Sequence, residues 1–135
     1  MNFEDILKTA GQGHAEEQFH LGLMYNNGDG VPRDDTKALK WFHEAAEQGH
    51  TEAKFNLGRM YYNGDGVPRD DAEAVKWFRE AAEQGNAEAQ FNLGQIYSND
   101  EGVQLDFNEA IDWFEKAAGQ GNAEAQINLD KMRDK

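Results

Sequence analysis

One stretch, Gly49 to Gln84, is written three times in this chain. It reads GHTEAKFNLGRMYYNGDGVPRDDAEAVKWFREAAEQ, and a shift of 36 residues back or forward lays it on Gly13–Gln48 or Gly85–Gln120. Such a chain does not fold around one central core. Each unit is a single supersecondary piece that buries its apolar face on its neighbours. The 135 residues divide into an N-terminal half-repeat over 1–12, repeats over 13–48, 49–84 and 85–120, and a C-terminal half-repeat over 121–135.

Within a unit the apolar residues recur at helical spacing. Ala53, Leu57, Met60 and Tyr61 share one face of a helix expected from about Thr51 to Tyr62, with its counterpart from about Ala15 to Asn26 in the unit before. Gly58 sits beside that face and recurs as Gly22 and Gly94. A mid-helix glycine costs about 1 kcal/mol against alanine, so its recurrence points to close approach of a neighbouring helix. Gly28 and Gly64 are placed for left-handed caps that end this helix. Asp70 then opens a second helix, with Glu73 completing a capping box; Asp106 and Glu109 repeat the pair, and Lys37 breaks it in the first unit. Ala74, Trp77, Phe78, Ala81 and Ala82 form the buried face of the second helix. Gly49, Gly85 and Gly121 close it, and His14, His50, Asn86 and Asn122 stand at the opening of the next helix, where a side chain caps. Phe3, Ile6, Leu7 and Ala10 put one apolar stripe on an N-terminal cap helix. Two departures mark the far end. The loop of the third unit carries Asp100, Gln104 and Leu105 in place of Gly, Pro and Arg and is expected to be less fixed; Asp130 replaces the repeat glycine. The fold class expected is all-α: a right-handed α/α superhelix, or solenoid, of about eight stacked antiparallel helices.

Charge narrows the partners. The formal net charge is -13, from 26 acidic and 13 basic residues. Such a surface repels phosphate backbones and anionic membranes, so neither nucleic acid nor a membrane surface is expected as a partner. No apolar run reaches the ~18 residues of a membrane-spanning helix. Residues 1–5 show neither a basic nor an apolar leader region, so the expectation is either a cytoplasmic location or a targeting segment outside this sequence. There is no cysteine, hence no disulfide framework and no thiolate zinc site.

The pattern A-x-x-x-L-G-x-x-Y-x-x-G-x-G-V is met by Ala53, Leu57, Gly58, Tyr61, Gly64, Gly66 and Val67. Its continuation is met by Ala74, Trp77, Phe78, Ala81, Ala82 and Gly85. In these residues the chain resembles the Sel-one-like repeat family, a relative of the tetratricopeptide repeats, over residues 13–129. The resemblance implies an α/α superhelix that holds protein complexes together. Glu17 takes the slot of Ala53 and Ala89, so packing at that end is expected to differ. Many members carry cysteine pairs that staple the hairpins; this chain has none. Some members are described as binding or cleaving β-lactams, but the single serine, Ser98, is followed by Asn99-Asp100-Glu101 and lacks the lysine three residues on that such chemistry needs.

The first helices of stacked pairs line the inner, concave surface in such arrays. On them, opposite Leu57, stand Phe55, Arg59 and Tyr62, with Phe19, Leu23 and Asn26 before and Phe91, Gln95 and Ser98 after. These nine are the candidate partner-binding residues. The Phe19–Phe55–Phe91–Ile127 ladder either floors a groove or seals adjacent repeats. Arg59 and Tyr62 vary between units and are the place to look for partner-specific contacts. Calcium does not fit the loops: Asp65-Gly66 at positions five and six of an EF-hand would put Tyr61 at one and Ala72 at twelve. No H-E-x-x-H occurs among the four histidines. The reading is therefore a binding scaffold with no cofactor, no metal and no catalytic residue, whose partner is a basic or neutral protein or peptide held with salt-sensitive affinity. The alternatives are a small bacterial antidote that occludes one toxin or enzyme, a hydrolytic enzyme, and self-association through the open repeat ends.

Overall fold

The computed structural model describes residues 2–99 and 106–133. Among them are eight helices and no strand: α1 (Phe3–Gly11), α2 (Ala15–Asn27), α3 (Asp35–Glu47), α4 (Thr51–Asn63), α5 (Asp71–Glu83), α6 (Ala87–Asn99), α7 (Phe107–Gly119) and α8 (Ala123–Arg133). Each helix packs on the next in sequence, as an array of helix pairs must. The expectation for the third unit's loop concerns residues that lie outside those described.

The helix ends follow local chemistry. Gly28 and Gly64 take φ of 73° and 74°, and their N–H groups donate to the carbonyls of Met24 and Met60 at 2.8 Å. The carboxylates of Asp34, Asp70 and Asp106 accept from the N–H groups of Lys37, Glu73 and Glu109. The return half of the capping box does not form. The N–H of each capping aspartate is taken instead by the carbonyl of Tyr25, Tyr61 or Tyr97, each at 2.9 Å, so Lys37 costs the first unit nothing. The shared helix-opening slot divides as well. His50, Asn86 and Asn122 cap through their side chains, whereas His14 makes no such bond. His50 Nδ1 accepts from the Ala53 N–H at 3.1 Å, which leaves the proton on Nε2 to meet Glu16 at 3.0 Å.

The core lies in the seams. One cluster joins Phe19, Phe42, Ala45 and Ala46 to Ala53, Leu57, Met60 and Trp77 across the first two units. A second joins Phe55, Phe78, Ala81 and Ala82 to Ala89, Leu93, Ile96 and Trp113 across the next two. The recurring glycine has a steric cause: a Cβ on Gly22, Gly58 or Gly94 would stand 2.6 Å from the ring of Phe42, Phe78 or Phe114. Those three rings are among the most buried large side chains of the protein. Asp130 is exposed and accepts from Gln126 Nε2 at 2.9 Å, and no described helix follows α8 to place a ring over it.

Polar links cross the same seams. Gln90, 5% exposed, donates from Nε2 to the Ala82 carbonyl at 3.1 Å and accepts from Gln120 Nε2 at 2.9 Å. Gln18 repeats this with Ala10 and Gln48. The middle unit substitutes an ion pair, Lys54 to Glu80 at 3.3 Å. Arg79 bridges Tyr97 and Glu109 at 2.6 and 2.8 Å. Burial works against the Arg79 charge, but these two bonds outweigh it and hold the guanidinium above its ordinary range. Replacing Gln90 by Leu is expected to cost about 1–2 kcal/mol in urea denaturation, the worth of a lost buried hydrogen-bond pair. Parent-like stability would show the network to be incidental.

Candidate interaction face

Three clefts open in series along α2, α4, α6 and α8. The first, about 380 Å³, follows α2 between Glu16, Glu17, Phe19, His20 and Leu23. The second, about 220 Å³, is walled by Arg59, Tyr62 and Asn63 of α4 and by Asn92, Gln95 and Ile96 of α6, over Phe78. The third, about 210 Å³, is lined by Gln95, Ser98, Asn99, Phe107, Phe114, Asn128, Lys131 and Met132. Gln95 lines both the second and the third, so these two adjoin. Their volumes fall below the ~300–1,000 Å³ of small-molecule sites. These two have room for single side chains.

Six of the nine residues expected on this face line the clefts: Phe19, Leu23, Arg59, Tyr62, Gln95 and Ser98. The other three do not. Asn26 donates to Asp35 Oδ1 at 3.3 Å. Phe55 is buried in the second core cluster, and Phe91 packs half-buried on Phe114 with ring centroids 5.8 Å apart. The phenylalanine ladder is therefore mainly seam. Phe19 stacks on His50 at 4.4 Å, and Phe55 lies 5.8 Å from Phe78. Ile127, the last rung, is 54% exposed because no described helix follows α8. Tyr61 is also structural; burial raises its phenol above the ordinary range, and the nearby Glu73 and Asp70 carboxylates add to this.

Sequence reasoning passed over the side-chain amides. Asn56, Asn92 and Asn128 share one register, one residue after the ladder, and Asn63 and Asn99 share another. Four of these five line the second and third clefts. Their recurrence at 36-residue spacing was the available signal. An amide carries both a donor and an acceptor, so this row can pair with the backbone of a passing chain whatever its sequence.

Charge is spread unevenly over the face. Glu16 and Glu17 border the first cleft, whereas the described residues that line the second and third include Arg59 and Lys131 and no carboxylate. Among the described residues, the acid excess of the whole chain is thus not the charge of these two clefts. Among the described residues there is no group of three His, Asp or Glu side chains that could hold a metal ion, and no helix is long and apolar enough to cross a membrane.

Comparison with known proteins agrees with this architecture. The family model for the Sel1 repeat matches residues 18–50, 51–86 and 87–122. The crystal structure of a Sel1 repeat protein from Oxalobacter formigenes is 38% identical, with a TM-score of 0.87, over 96% of this chain and 53% of that one. The c5321 protective antigen of uropathogenic Escherichia coli, which displays an SLR fold, is 35% identical with a TM-score of 0.81, over 98% of this chain and 36% of that one. The chain thus spans about half of the first relative and about a third of the second. Cysteine rich protein B of Helicobacter pylori, 20% identical with a TM-score of 0.74 over 93% of both chains, bears on the fold alone. No curated protein matches the chain. With three consecutive matched repeats and two relatives above 30% identity, the chain belongs to the Sel1 repeat family.

Proposed function

We propose that this chain is a protein-interaction module that holds a segment of another protein, in extended form, along α2, α4, α6 and α8. Sel1 repeat proteins are generally protein-interaction scaffolds. The observation that carries the reading is the in-phase row of amides. Asn63, Asn92, Asn99 and Asn128 line consecutive clefts, and among the described residues their side chains make no bond within the chain. The fold does not use them, and an extended backbone would. The clefts between them are sized for the partner's side chains.

Affinity capture with three baits tests this: the parent, an Arg59→Glu/Asn92→Ala variant, and Glu83→Lys, which alters the exposed surface of α5 outside the clefts. Circular dichroism establishes that all three are folded. A protein retained by the parent and by Glu83→Lys but lost by the double variant is the expected result. Equal retention by all three would move the contact to another surface.

A further inference from the structure

We infer that the cleft between α4 and α6 is a carboxylate site, which seats an Asp or Glu side chain of the bound segment on Arg59. This rests on the proposal above and names the chemistry that the face selects.

The argument begins with ion pairing. The chain holds twice as many acids as bases, so an arginine without a carboxylate is an exception in it. Arg33, Arg69, Arg79 and Arg133 each pair with an Asp or Glu at 2.8 to 3.0 Å. Arg59 alone among the described arginines makes no ion pair; its guanidinium carbon lies 5.7 Å from the centroid of the Phe55 ring. That ring contact holds the group at the cleft wall without neutralising it. Opposite stand Asn92 and Gln95, whose amide N–H groups can donate to the same anion. None of the described lining residues is acidic, and the 220 Å³ volume suits one short side chain. A planar guanidinium presents paired N–H donors that match a carboxylate, which makes Arg the residue for this task.

The adjoining third cleft favours a side chain over a chain terminus. Gln95 passes the groove on to the third cleft, where Lys131 occupies the same register as Arg59 two units later. A segment lying along this path runs through the Arg59 cleft and does not end there. The first cleft carries Glu16 and Glu17, so the same segment would present neutral or basic residues toward α2.

A random dodecapeptide display library, selected at raised salt, provides the probe. Global acidity works in the opposite direction, since a chain of charge -13 enriches basic peptides. The expected result is that the parent enriches peptides with Asp or Glu at a fixed position, and that Arg59→Gln selects none. For one selected peptide, exchanging that acid for its amide should weaken binding to the parent about tenfold, the worth of one charge-assisted hydrogen bond, and leave binding to Arg59→Gln unchanged. Enrichment without an acid that is lost in Asn92→Ala would overturn the carboxylate site and leave the groove standing. Acid enrichment that survives Arg59→Gln would place the anion elsewhere and sink this inference. No enrichment on a folded parent would count against both the site and the groove.

Discussion

Gly58→Ala is expected to destabilise the protein by about 1–3 kcal/mol, although helix propensity alone would predict a gain of about 1 kcal/mol. The sign turns on one contact. The new Cβ would stand 2.6 Å from Cδ1 and 2.8 Å from Cε1 of Phe78. The Phe78 ring is 1% exposed and shares its core cluster with Ala74, Ala81, Ala82 and Leu93, so it can yield only by giving up that packing. Either the ring leaves its rotamer or α4 and α5 move apart, and both loosen the seam to α6. Two companions make the test specific. Gly119→Ala, at a helical glycine whose Cβ would meet nothing within 4 Å, should raise stability by up to about 1 kcal/mol. Combining Gly58→Ala with Phe78→Leu should recover part of the loss, leaving a coupling energy of the size seen between residues in contact. Urea denaturation of the parent, the three variants and Phe78→Leu alone, which closes the cycle, measures this. If Gly58→Ala stabilised as Gly119→Ala does, the close approach of the two helices would not be what requires the glycine.

The fold was legible because each unit carries its own boundaries. Asp70 and Gly64 state where helices begin and end, and the period states that they stack. The glycine's purpose was legible too, as close helix approach, although its partner ring comes from another helix and so could not be assigned. What stayed hidden depended on groups distant in sequence. The capping box looked complete in Asp70 and Glu73, but the Asp70 N–H is claimed by the Tyr61 carbonyl nine residues back. His14 and His50 occupy one slot, but only His50 has a full unit before it, supplying Phe19 to stack on and Glu16 to bond. On the interaction face, Arg59 and Tyr62 were legible as residues that vary while their neighbours repeat. The asparagines were missed for the opposite reason. Asn56, Asn92 and Asn128 repeat and so did not stand out as variable, whereas the structure places Asn92 and Asn128 in open clefts.

Gly66→Ala should be more damaging than the same change at its counterpart Gly30. Both residues hold left-handed backbone, with φ of 73° and 77°, so both variants carry a strain of about 1 kcal/mol. They differ in what lies beneath. A Cβ on Gly30 meets only the flexible end of Met24, at 3.5 Å. A Cβ on Gly66 would stand 2.7 Å from the carbonyl carbon of Asp35 and 2.8 Å from its oxygen. Asp35 cannot yield: it is the first residue of α3, gripped through both carboxylate oxygens by Arg33 at 3.1 and 3.0 Å and approached by Asn26. The loop must lift instead. An overpacking cost of about 2 kcal/mol then adds to the strain, for a total near 3 kcal/mol. Gly30 escapes because the half-repeat before it has no second-helix start in that place. The excess at Gly66 therefore measures a contact between units, not a property of the turn. In a chain of nearest-neighbour couplings such a loss divides the array. Hydrogen exchange on Gly66→Ala should show the amides of α2 and α3 opening separately from those of α4 to α7, while Gly30→Ala keeps them coupled. Equal denaturation midpoints for the two variants would mean that the loop does not tie one unit to the next, leaving that task to the apolar seams.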